Sequence, residues 1–538
     1  MGKSGFGIIP TRLSTNLQWL FCVINCRISC VKQAINLYSL WCSTIYSIKI
    51  VSTSYHQIYV QRSGFHISII PDFDKNASQK IIFYERIATK VINSNYKQIL
   101  CSVIKMNNSV WTNDVQMPTF GKLEQDLKTD VLVVGGGLAG ILCAHGLARE
   151  GVDYALIEAD RICVGVSRNT TAKITSQHGF IYAKILRMFG PEKAQKYYEA
   201  NEKAIQAYYQ LSQSIPCDFE WKDNYIYSKE SNHDLNAEID ALSHLGIPVE
   251  LSKNIQFPFS VEGAIRFRKQ AQFNPLKFVA GLTKDLRIYE HTTAREFSEH
   301  TVITDHCKIT ASKIIIATHF PILNKHGSYF LKMYQQRSYV LALENAAQVD
   351  GMFLDAAENG LSFRNYGDLL LLGGGGHRTG KKGGGWAELE RFARIHYPGA
   401  REVCRWATQD CMTLDGIPYI GQYSKRTPDL YVATGFNKWG MTSAMVSAMI
   451  LGDLVQGKEN PWTQVFSPSR SILRGQLLNN AFEATVNLLT PTKPRCPHMG
   501  CALKWNPLEH SWDCPCHGSR FTNDGRLLDN PATGDLKK

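Results

Sequence analysis

The chain has no apolar run long enough to cross a membrane. About 18 uninterrupted apolar residues would be needed, and the best stretch, Leu17 to Trp41, is broken by Arg27 and Lys32. Acidic residues are scarce at the start. Residues 1–105 hold twelve Lys/Arg against Asp72, Asp74 and Glu85, so 9 of the 12 net positive charges lie there. The remainder is close to neutral, which removes the case for a nucleic-acid partner that the total alone would make. Cysteine and histidine are thin along most of the 538 residues, with one dense exception near the end. With 44% hydrophobic and 20% charged residues, the composition excludes wholesale disorder and leaves room for two to four domains.

Residues 1–105 form an atypical basic leader, rich in Ile, Ser, Tyr and Asn, with no sustained helical or alternating period. A transit peptide is Arg- and Ser-rich and poor in acids, which fits in part, but the leader is long for one. The favoured reading is that translation begins at Met106 and that the leader is not made. Cys22, Cys26 and Cys30 invite a metal, yet four-residue steps equally place three small apolar groups on one helix face.

From Thr129 the pattern sharpens. Val131 to Val134 is a short apolar run suited to a strand buried on both faces of a parallel sheet. Gly135, Gly137 and Gly140 then make G-x-G-x-x-G, a helical stretch runs from Leu138 to Arg149, and a second apolar run ends on Glu158. The glycines serve a tight turn, close approach to a pyrophosphate and helix-on-strand packing. The helix N-terminus offers N–H groups to phosphate, and the acid offers acceptors to ribose hydroxyls. Together these predict a dinucleotide site. No second fingerprint with its own strand and acid lies between residues 180 and 460; the GGGG at Gly373 to Gly376 leads into a basic loop instead. A nicotinamide domain is therefore not expected.

SRNTTAKITSQHG (Ser167 to Gly179), SKIIIATHF (Ser312 to Phe320) and DGIPYIG…LYVATGFNKWGMTSAM (Asp415 to Met445) follow in that order. In this arrangement the chain resembles the glycine oxidase/D-amino-acid oxidase family of FAD flavoproteins over about residues 118–456. The resemblance implies an α/β fold: a Rossmann-like parallel sheet built from 128–190, 300–320 and 405–456, with an interleaved antiparallel-sheet substrate domain over about 191–400. It implies that Gly135, Gly137, Gly140 and Glu158 hold the ADP half of FAD, that Thr171 and Lys173 lie near the pyrophosphate and flavin, and that Gly435, Trp439, Gly440, Met441 and Thr442 bring a second helix N-terminus to the ring. Arginines clamp substrate carboxylates in such relatives because their planar fork matches two oxygens. Arg337 and Arg364 are the candidates, with Tyr339 or Tyr366 as hydroxyl partners; surface arginines on a roofing sheet are the plainer alternative. His178 is expected to bond backbone rather than assist chemistry.

The dense exception is RCPHMGCALKWNPLEHSWDCPCHGSRF, Arg495 to Phe521. Cys496, His498, Cys514 and His517 alone would satisfy a tetrahedral zinc. Each box also holds a further cysteine, Cys501 or Cys516, and a glycine, and in this CPHMGC…CPCHGS resembles the Rieske [2Fe–2S] pattern. That resemblance implies that Cys496 and Cys514 bind one iron and His498 and His517 the other, that Cys501 and Cys516 are a disulfide candidate, and that Ser519 donates to a bridging sulfide. Phe521 stands where the quinol-oxidising branch has a tyrosine, which predicts a lower potential. About 40 residues separate Gly457 from Cys496, so the all-β module at 494–538, joined through a helical linker at 457–493, is expected to be truncated, its ligands present but much of its sheet missing.

The expectation from these readings is an FAD-dependent oxidoreductase, amine- or amino-acid-dehydrogenase-like, in the cytoplasm. It passes electrons from a small-molecule substrate through a Rieske cluster to a one-electron acceptor protein or quinone. The alternative is a non-enzymatic flavin/iron–sulfur relay or redox sensor.

Overall fold

Val131 to Val134 are almost fully buried, because the strand they end, Leu127–Val134, has parallel neighbours on both sides. In this computed structural model Val131 pairs with Tyr154 on one side and with Lys313 on the other. The described residues are 108–538, apart from breaks at 230–232, 253–254, 256, 324, 358–359, 472–474, 493 and 537–538, together with a hairpin, Ile58–Arg62 with Phe65–Ile69. That hairpin belongs to one compact unit, Met1–Gln98, and everything below to the other, Ile99–Lys538. The readings made for the leader, including Cys22, Cys26, Cys30 and a start at Met106, otherwise lie outside the described residues.

Three sheets make up the larger unit. The first has eight strands; Tyr154–Ile157, Leu127–Val134, Lys308–Ile316 and Thr427–Thr434 run parallel at its centre. Helices Leu138–Arg149 and Gly440–Val455 pack together, each burying nearly all its apolar residues. The second sheet has nine strands and is mostly antiparallel, with the long strands Met333–Glu344, Leu369–Arg378 and Arg401–Thr413 adjacent. Its strands alternate with those of the first sheet along the chain, which is the interleaving the sequence predicts. Arg401–Thr413 lies in the second sheet, paired along its length with Met333–Glu344.

The third sheet is small. Lys504–Asn506, Ser511–Asp513, Arg520–Thr522 and Leu527–Asp529 form an antiparallel four-stranded ladder of three-residue strands. The preceding helix, Gly475–Leu489, is more than a linker. Asn480 and Asn487 are buried, Asn480 accepting from Arg378 at 3.0 Å and the Asn487 carbonyl accepting from the Ala502 amide at 2.9 Å. Its apolar side chains Leu478, Phe482 and Leu489 are exposed.

Candidate active site and cluster site

The glycine turn is constrained by contact as well as by φ. Gly135 has φ +113°, and a Cβ there would lie 2.6 Å from the Ala317 carbonyl oxygen; one on Gly140 would lie 1.9 Å from the Gly135 oxygen. Glu158 accepts from the Gly136 amide at 2.6 Å and the Asp160 amide at 3.0 Å, and burial raises its carboxyl. These groups open on a cavity of about 710 Å3. Gly137, Glu158, Thr171, Lys173, Trp439, Gly440 and Met441 are among the residues that line it. The helices starting at Leu138 and Gly440 both begin on this cavity, and neither has a side-chain cap of its own. The Leu138 amide donates to Ser167 Oγ at 2.9 Å. Two helix N-termini on one cavity, beside a turn whose Gly135 and Gly140 leave no room for a Cβ against neighbouring backbone, suit a pyrophosphate-linked dinucleotide.

Gly140, Gly435 and Thr442 stand behind this wall. Gly435 has φ +71°, and a Cβ there would meet Thr413 Cγ2 at 2.3 Å. Thr442 donates to the Thr175 carbonyl at 3.1 Å. His178 stacks on Trp439 at 4.8 Å, with Nδ1 2.6 Å from Tyr197 Oη and Nε2 2.7 Å from the Thr175 carbonyl. Burial lowers it to about 3, so it is a neutral positioning ring. Burial, helped by Arg364, lowers Lys173 to about 7.

Neither candidate arginine is left to clamp a carboxylate. Arg337, 3% exposed, forms a two-pronged pair with Glu509, including a 3.0 Å bond from Nε. Arg364, 1% exposed, donates to the carbonyls of Thr171 at 2.7 Å and Ala172 at 3.0 Å. Their proposed partners are also committed: Tyr339 Oη donates to Glu509 at 3.2 Å, and Tyr366 Oη to Asp218 at 2.8 Å. Both guanidinium groups face the C-terminal module or backbone, and neither lines the cavity, a tertiary fact that spacing does not carry.

Sheet alternation explains both this outcome and the residue that sequence reasoning missed. On strands Met333–Glu344 and Arg401–Thr413, Gln336 pairs with Asp410 and Arg337 with Gln409. Gln336, Ser338, Thr408, Asp410 and Met412 face the cavity, while Gln335, Arg337 and Gln409 reach the C-terminal module. The period is two, as a pleated strand requires. The Asp410 carboxylate takes part in no side-chain hydrogen bond found among the described residues. Burial raises its carboxyl to about 6, against the opposing charges of Lys438 and Arg337. A carboxylate on the alternating strand before DGIPYIG was the available signal.

In the module, two reverse turns present the soft ligands. The Gly500 amide donates to the Cys496 carbonyl at 2.9 Å and the Gly518 amide to the Cys514 carbonyl at 2.9 Å. His498 and His517 lie 4.9 Å apart, ring to ring. Burial lowers both, His498 to about 4 and His517 to about 3, so both imidazoles are neutral and able to ligate; His517 Nδ1 is buried without a hydrogen-bond partner. Cys501, Cys514 and Cys516 bring their sulfurs within 4.8 Å of one another. Cys501 and Cys516 are free thiols, so the implied disulfide is not formed in this structure. The donor set, soft sulfur beside neutral imidazole, fits a [2Fe–2S] centre with mixed ligands.

Charge helps to hold the four short strands together. Arg520 is buried and bonds Asp513 at 3.0 Å, Asp529 at 3.0 Å, and Glu509 and Ser511 at 2.9 Å. Ser519 Oγ accepts from the Ala532 amide at 3.0 Å, and Phe521 fills the module's core.

Residues 130–454 match the family FAD dependent oxidoreductase, and residues 484–538 match the Rieske [2Fe-2S] domain. The chain belongs to the FAD-dependent oxidoreductases and carries a Rieske domain. This flavoprotein is an enzyme, with FAD and a [2Fe–2S] cluster as its cofactors. It is 33% identical over 499 residues, 80% of this chain and 96% of the relative, to the putative Rieske 2Fe-2S iron-sulfur protein YhfW of Bacillus subtilis. Over 42 residues it is 50% identical to cytochrome b6-f complex iron-sulfur subunit 3 of Nostoc, only 24% of whose length is spanned. Glycine oxidase from Geobacillus kaustophilus shares the fold, with a TM-score of 0.56 and 20% identity over 64% of this chain and all of that one. L-proline dehydrogenase from P. horikoshii does so with a TM-score of 0.55, 16% identity, 64% of this chain and 98% of that one. Among the described residues no helix is long and apolar enough to cross a membrane.

Proposed function

We propose that this flavoprotein oxidises a small amine or amino acid at the C–H bond beside nitrogen, and that its electrons leave through the cluster to a one-electron acceptor protein or quinone in the cytoplasm. The observation that carries the substrate class is Asp410, a carboxylate on the cavity wall within the field of Lys438 and Arg337. The activities for which the solved relatives are named, glycine oxidase and L-proline dehydrogenase, favour the same class. When bound, FAD supplies a hydride acceptor and the cluster a one-electron carrier.

The chain's own residues do the orienting. Above pH about 6 the ionised Asp410 accepts a hydrogen bond from a substrate ammonium and takes its proton, leaving the neutral amine that gives up hydride readily. Trp439 and Met441 supply the apolar wall that excludes water, and His178 holds the Trp439 ring by stacking. Anaerobic mixing with amines, amino acids and hydroxy acids tests the reading. Amines or amino acids should bleach the flavin, with a rate that falls as pH drops through about 6, and Asp410→Asn should slow bleaching by about tenfold or more and remove that acid limb. Bleaching by hydroxy acids alone, or by a reduced protein partner alone, sinks it.

A further inference from the structure

One short loop joins the two cofactor sites. Strand Lys308–Ile316 runs into Ala317, whose carbonyl crowds Gly135 in the dinucleotide cradle. Three residues later Phe320 packs edge-on against both ligand histidines, at 6.5 Å from His498 and 6.4 Å from His517. Three residues span at most about 11 Å. Phe330 closes on His517 from another side at 6.2 Å, leaving that ligand 4% exposed.

The module clamps this loop in return. Asn530 donates through Nδ2 to the carbonyls of Thr318 and Phe320. Leu527, Asp529 and Ala532 of the module line the cavity itself. The rest of the contact is specific. Gln335 donates to the His517 carbonyl at 2.7 Å, and Gln409 to the Gly518 carbonyl at 2.8 Å. Arg378 donates to the carbonyls of Pro515 at 3.1 Å and Cys516 at 3.2 Å. Gly518 has φ +90°, and a Cβ there would lie 2.6 Å from Gln335 Cβ, so the cluster loop approaches the sheet as closely as a bare backbone allows. The Arg337–Glu509 pair closes the contact with both charges buried.

We propose that the Rieske module is docked histidine edge inward as a fixed wall of the flavin cavity, with Arg337 as the positioning residue. The cluster is then loaded one electron at a time by the flavin of the same chain, across the 317–320 loop and without domain movement. Each such transfer oxidises the flavin by one electron and reduces the cluster by one. An external one-electron acceptor must empty the cluster between the two transfers that follow each substrate turnover. Its approach is from a side other than the histidine edge. This rests on the two cofactors and not on the amine reading.

Flash photoreduction of the holoprotein tests it without any substrate, using deazariboflavin with EDTA as electron donor. After the flash, flavin reoxidation and cluster bleaching should coincide in one first-order phase whose rate does not change with protein concentration. A rate that rises in proportion to concentration would overturn the proposal. In Arg337→Leu that phase should slow while flavin content and the amplitude of the cluster's EPR signal hold. Asn530→Ala is the second variant, should Arg337→Leu not fold, with the same slowing expected. A soluble dysprosium chelate should relax the cluster's EPR signal more strongly in either folded variant than in the natural chain. Unchanged transfer and unchanged relaxation in the folded variants would refute the docked wall.

Discussion

Around the dinucleotide cavity, strand Leu127–Val134 is held between parallel neighbours and beside two buried helices. The cluster loops hang instead on four strands of three residues each. The first region buries enough apolar surface to hold its own turn. The second adds to a small core around Phe521 the Arg520 network and the back of the substrate-domain sheet. A short module can therefore keep a complete ligand set when a neighbouring domain supplies the support it lacks. The price is that cluster and body are then built as one object.

The largest effect expected is loss of one centre without the other. Cys514→Ser should abolish the cluster's EPR signal while the flavin absorbance stays, because Cys514 makes no contact with the glycine turn; joint loss of both would break the contrast between the regions. Next, Arg520→Met leaves Asp513, Glu509 and Asp529 around an apolar side chain, and should destabilise the module by about 3–5 kcal/mol in denaturant titrations followed at Trp512. Acid should act in the same place. Burial alone would raise Glu509, but Arg337 and Arg520 override it and hold the carboxyl at about 2. A depressed carboxyl stabilises the fold above its unfolded value of 4.5, and that stability drains as pH falls from there towards about 2. On the order of 3 kcal/mol is at stake, so cluster release on acidification should precede flavin release. Smallest is Gly140→Ala, whose added methyl meets the Gly135 oxygen. It should cost about 1–3 kcal/mol and loosen FAD without touching the cluster signal.

Legibility in the sequence followed locality. The cradle of Gly135, Gly137 and Glu158 and the boxes at Cys496 and Cys514 are contiguous stretches whose chemistry depends on neighbours in the chain. Both sites assemble where those stretches stand. Arg337 and Arg364 were misread for the opposite reason: a guanidinium's partner lies across the fold, and one residue of strand register separates the cavity face from the module face. Asp410 was overlooked because an acid on an alternating strand is only a weak signal until the strand's inner face is known.

By itself, then, the sequence determined the two cofactors and the interleaved α/β architecture, because spacing along a chain dictates turns and strands. Only the tertiary structure decided which way the cluster looks, what supports it and which side chains face the cavity. Those depend on pairings between residues more than a hundred positions apart, such as Arg337 with Glu509 and Asn530 with Thr318, that no local pattern encodes.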